Sequence, residues 1–126
     1  MRVYTPPMTK TRMRTIQLLC FYQIKVFTKY RELEPLIFKV NDLKNNDDAL
    51  DIYEFVLQKV NVSNSPSMAQ SACEHVISMC HPRAWGDRYV AGYNGITDWC
   101  KYLSELSIIA QECWNKISEN NGARHL

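Results

Sequence analysis

Residues 97–122 read TDWCKYLSELSIIAQECWNKISENNG, and this stretch decides the fold class. Trp99, Leu103, Leu106, Ala110, Cys113 and Ile117 recur three or four residues apart. An α-helix turns once in about 3.6 residues, so that spacing stacks all six on one face. Thr97 is expected to cap this helix and Asp98 to open it. Asn121-Gly122 is expected to stop it, because both residues suit the left-handed conformation that follows a helix. A stripe of this length has to be covered by other apolar elements.

Upstream, the same periodicity recurs. Ser65-Pro66 pairs a capping side chain with a proline at the first helical position, and predicts a helix over about 66–80. Its buried face would hold Ala69, Ala72, Cys73, Val76 and Cys80, residues small enough to let a neighbouring helix approach closely. Residues 61–65 read as a polar linker. A helix over about 48–60 would place Leu50, Tyr53, Leu57 and Val60 inward, capped after the loop at 45–48. Asp48, Asp51 and Glu54 gather near its N-terminal end, where the helix dipole favours them. Glu34-Pro35 punctuates the chain, and a helix from Pro35 to about Lys44 would bury Leu36, Ile37, Val40 and Leu43.

The stretch 15–30 fits two periods. Ile16, Leu19, Cys20, Ile24 and Phe27 form a helical stripe, while Ile16, Leu18, Cys20, Tyr22, Ile24 and Val26 alternate as in a strand. Its length exceeds the usual strand and no partner strand exists elsewhere, so a helix is expected. Residues 1–12, with Pro6-Pro7, read as an irregular N-terminal arm. The expectation is therefore an all-α protein: one helical domain over 1–126, a compact bundle of four to five helices with a long irregular loop at 81–95 before the C-terminal helix.

Composition agrees. The chain has 126 residues, 46% hydrophobic and 22% charged, enough apolar matter for one core and too little charge for a disordered chain. No run approaches the roughly 18 apolar residues of a membrane span, so no membrane partner is expected. The basic start lacks an uninterrupted apolar region and a small-residue cleavage site, which argues against a secretion signal. Five widely spaced cysteines do not make a disulfide framework and suit a reducing, cytoplasmic setting. Charge is uneven. Residues 1–31 carry seven basic groups and no acid, 32–60 carry seven acids and three lysines, and the remainder six acids against five basic residues.

Catalytic and metal signatures are weak. Cys73, His75, Cys80 and His81 cluster in sequence, but Cys73 and Cys80 stand two helical turns apart, roughly 10 Å by the rise per residue. Such a pair cannot share a zinc ion on an intact helix. Cys100 lies in a first helical turn, a better place for a thiolate, but has no identifiable base. No phosphate loop, nucleophile elbow or calcium loop occurs. No enzyme, cofactor or metal is expected.

Two features suggest contacts instead. Arg83, Trp85, Arg88, Tyr89 and Tyr93 lie within eleven residues, and Trp, Tyr and Arg are the residue types that anchor protein interfaces. The competing reading makes Trp85 and Tyr89 a plug over the end of the bundle, with Arg83 or Arg88 paired to Asp87 or an acidic helix start. Separately, Arg12, Arg14, Lys25, Lys29 and Arg31 could neutralise nucleic-acid phosphates. The leading expectation is a small regulatory protein, of the inhibitor or adaptor kind that phages and mobile elements encode, binding a larger protein through the 83–93 group. Nucleic-acid binding through the basic segment is the alternative, and homodimerisation is possible.

Overall fold

A computed structural model describes residues 30–125, with side chains over 30–121. The expected arm at 1–12 and helix at 15–30 lie outside the described residues. Within them the chain is all-α, with four α-helices and two 3-10 turns: Arg31–Leu33, α1 Glu34–Val40, Asn41–Leu43, α2 Leu50–Val62, α3 Pro66–Met79 and α4 Gly95–His125.

The first helical segment follows its pattern. Pro35 sits in the first turn of α1, where a missing N–H costs nothing. Leu33, Leu36, Ile37, Val40 and Leu43 are all buried, so the two 3-10 turns extend one apolar face across α1. In α2, Ile52, Tyr53, Val56, Leu57 and Val60 are buried. α2 begins two residues later than its acids suggest. Asp48 does not cap it; Ala49 occupies that position without a side-chain bond. The Asp48 carboxylate accepts from the Ala91 N–H at 2.9 Å instead, a tertiary contact that removes it from the helix end. The helix also overruns the expected linker to Val62. It stops where the buried Ser63 hydroxyl donates to the Lys59 carbonyl at 2.8 Å.

α3 starts as its sequence dictates: the Ser65 side chain accepts from the Met68 N–H and Pro66 opens the helix. Ala69, Ala72, Cys73 and Val76 are buried, whereas Cys80 is the half-buried residue that ends the helix. Small side chains along α3 let α4 pack against it over the largest helix–helix contact of the described residues.

α4 is the spine. Trp99, Tyr102, Leu103, Leu106, Ala110, Cys113 and Ile117 are buried along it. It starts at Gly95 rather than at Asp98 behind a Thr97 cap, because the Asp98 carboxylate accepts from the Asn94 N–H at 3.2 Å and draws in about one more turn. It also runs through Asn121-Gly122 to His125. Glycine inside a helix costs about 1 kcal/mol, too little to end one that continues to gain backbone hydrogen bonds. Polar ties flank the apolar stripe. On one side Lys39 reaches Glu105 at 2.8 Å and the Tyr102 hydroxyl donates to the Lys39 carbonyl at 2.7 Å. On the other, Trp114 Nε1 donates to Glu74 at 3.0 Å.

Candidate functional site

The chain between α3 and α4 makes turns and bends with no helix or strand. Its first part is folded onto the core. The Trp85 N–H donates to the Met79 carbonyl and the Gly86 N–H to the His81 carbonyl, closing a tight turn. That turn drives the Trp85 indole inward, 4% exposed, edge-on to Phe55 with ring centroids 5.2 Å apart. The Trp85 carbonyl in turn accepts from Trp99 Nε1 at 2.8 Å. The tryptophan pair joins the connection to the spine through one buried, directional bond.

The middle part is clamped to α2. Arg88 donates through both terminal nitrogens to the two Asp51 oxygens, at 2.8 and 3.2 Å, and also to the Asp48 carbonyl at 3.0 Å. Such a two-pronged bond fixes direction as well as distance. Val90 is buried, and Ala91 is held from both sides, its N–H by Asp48 and its carbonyl by Asn46 Nδ2 at 2.8 Å. Gly92 has φ +90, and the chain there turns back toward α4. Tyr93 then packs edge-on against Trp99 and Tyr102, whose own rings are stacked.

The five residues singled out in the sequence therefore occupy different environments. Trp85 is buried, Tyr93 half-buried in an aromatic cluster, and Arg88 engaged with the acidic start of α2. Arg83 and Tyr89 are exposed, Tyr89 at 74%. They do not form one surface; three of them hold the connection in place and Tyr89 projects from it. Of the basic group, Arg31 is exposed, while Arg12, Arg14, Lys25 and Lys29 lie outside the described residues.

The residues weighed for zinc and nucleophile chemistry are dispersed. Cys73 is buried against α4, His75 is exposed, and the His81 ring accepts from the Arg83 N–H. Among the described residues no three His, Cys, Asp or Glu side chains converge on a common point. Burial pushes the thiols of Cys73 and Cys80 up from 9.0 to about 12, and that of Cys113 to about 11. At neutral pH all three are protonated and poor nucleophiles. The same shifts fix a pH dependence. Above about pH 9 the unfolded chain releases thiol protons that the folded chain retains. The melting temperature is therefore expected to fall from about pH 9 upward, and serine at Cys73 and Cys113 should flatten that fall in thermal melts between pH 7 and 10.5.

One surface escaped the sequence reading. A groove of about 190 Å³ opens between the end of α2 and the outer side of α3, with Val62 and Met68 exposed in it. Both residues lie just off the buried stripes, and only the angle between the two helices brings them together. No helix of the described residues is long and apolar enough to cross a membrane. Compared with protein families, curated proteins and solved structures, the chain matches none.

Proposed function

We propose that the protein is a non-enzymatic interaction module that binds a larger protein, as a cytoplasmic inhibitor or adaptor of the kind that phages and mobile elements encode. The observation that carries this reading is the display of Tyr89. Its side chain is 74% exposed, while Arg88 before it is clamped to Asp51 and Val90 after it is buried. An aromatic side chain on pinned backbone has little freedom left to lose on binding, which favours it as a contact anchor. Arg83 lies exposed on the same connection and adds a cation at its rim. Trp85, Arg88 and Tyr93 support the display from beneath. The described cysteines Cys73, Cys80, Cys100 and Cys113 are free thiols, which suits a reducing compartment.

Tyr89→Ala is expected to weaken partner capture at least tenfold and leave the melting temperature unchanged, because the lost ring touches little of the core. The measurement is quantitative affinity capture from nuclease-treated lysate with both proteins side by side. Equal capture by the two would overturn the reading.

One observation favours a second reading. All thirteen acids fall after position 31, which leaves residues 1–31 uniformly cationic. A nucleic-acid partner held by Arg12, Arg14, Lys25, Lys29 and Arg31 would be released steeply with salt. In the same capture experiment it would appear as nucleic acid, with the accompanying proteins lost on nuclease treatment.

A further inference from the structure

We propose that the groove between the end of α2 and the outer side of α3 is a second docking site, and that its occupant is an acidic amphipathic helix of another protein. Val62, Met68 and Ala72 supply the apolar part of its lining. Val62 is 49% and Met68 40% exposed, large apolar side chains left in solvent side by side. Its volume of about 190 Å³ is below the roughly 300–1,000 Å³ of small-molecule pockets, and suits side chains of a docked segment.

Charge names the segment. From residue 32 onward the chain carries thirteen acids against eight basic residues. Yet no acid lines the groove, and the two ionisable side chains that do are Lys59 and His75. α3 has no acid in its first turn, and its start beside Met68 is capped by the neutral Ser65 hydroxyl alone. Lys59 stands in the last turn of α2, with its ammonium 5.4 Å from the Phe55 ring centre. Glu74, next to His75 in sequence, is turned to Trp114 on the α4 side. The groove is thus an apolar strip with the Lys59 ammonium at its rim and no acid in its lining, on a body in which acids outnumber basic residues. A helix with apolar residues three and four apart and flanking carboxylates complements it. Residues 1–29, with six basic groups and no acid, do not. Asp51, which anchors the Tyr89 display, and Val62 lie eleven residues apart on α2, about 16 Å by the helical rise. Two surfaces at opposite ends of one helix are the geometry of an adaptor.

The test titrates the full chain against fluorescent 14-residue synthetic helices that share one leucine stripe and differ only in flanking charge. The glutamate-flanked helix is expected to bind at least tenfold tighter than the lysine-flanked one. Met68→Glu should abolish that binding, and Lys59→Gln should weaken it about fivefold. Met68 is exposed and close to the start of α3, where glutamate suits the dipole, so the variant folds; Val62→Ser, with melting curves for both, guards that point. Tyr89→Ala should bind the helix as the parent chain does, which separates this site from the Tyr89 surface. Equal affinity for both helices, preference for the lysine-flanked one, or binding that survives Met68→Glu would overturn the proposal. So would sedimentation showing a dimer that Met68→Glu dissolves, since a second copy would then fill the groove.

Discussion

Trp99→Ala is expected to lower the unfolding free energy by about 3–5 kcal/mol, the range for truncating a large buried aromatic. Trp99 is fully buried, stacks on Tyr102 at 5.4 Å and meets Tyr93 edge-on at 5.1 Å. Its Nε1 also satisfies the Trp85 carbonyl. Removing the ring leaves a cavity at the junction of spine and connection, and orphans a buried acceptor as well. Domains of this size are stable by about 5–15 kcal/mol, so the loss is a large fraction of the total. Trp99→Phe separates the two contributions. It keeps most of the apolar volume while deleting the donor, and should cost about 1–3 kcal/mol. Urea denaturation followed by circular dichroism measures both. A phenylalanine variant as stable as the parent would mean that the Trp85 carbonyl finds another donor and that the bond does not organise the connection.

The second large effect is expected at Gly86. A Cβ at this position would lie 2.6 Å from Pro82 Cα and 3.0 Å from the Pro82 carbonyl oxygen. Both are backbone atoms of a turn tied at His81 and Met79, so no side chain can swing aside. Gly86→Ala therefore has to open the turn that inserts Trp85, at about 1–3 kcal/mol for overpacking of this kind. Its signature is local: Trp85 should become accessible to a fluorescence quencher, and Tyr89 should lose its fixed display. If the proposed function holds, Gly86→Ala weakens partner capture although residue 86 itself is buried. Full capture with Trp85 exposed would show that Tyr89 needs no rigid platform. Gly92 offers the contrast. A Cβ there meets nothing, and the φ of +90 alone disfavours an L side chain.

Helix positions were largely legible because they depend on short-range spacing. Leu36, Ile37, Val40 and Leu43 declare one face, and Trp99 to Ile117 another, whatever surrounds them. The start of α3 was legible for a similar reason: Ser65 and Pro66 act on N–H groups within three residues. Other helix ends were not. Asp48 is a good cap by type, but the Ala91 N–H, 43 residues away, takes its carboxylate. The helix start expected at Asp98, after a Thr97 cap, moved to Gly95 because Asp98 bonds backwards to Asn94. A local rule gives way wherever a polar side chain has a better-placed partner.

The contact residues show the same division. By itself the sequence determined that the described residues are all-α, with an aromatic, Arg-bearing connection before the C-terminal helix, since composition and periodicity are properties of neighbouring residues. Which of those side chains turn inward was decided only by the tertiary structure. Trp85 and Tyr89 are both aromatic and four residues apart, yet one is buried and the other is the most exposed large apolar side chain among the described residues. Phe55 and the Trp99 N–H select Trp85 for the core, and Asp51 holds Arg88 so that Tyr89 faces out. The groove at Val62 and Met68 likewise exists only once two helices meet. The burial of Trp85 and the display of Tyr89 depend on groups distant in the chain, and burial is settled by what arrives from the other side.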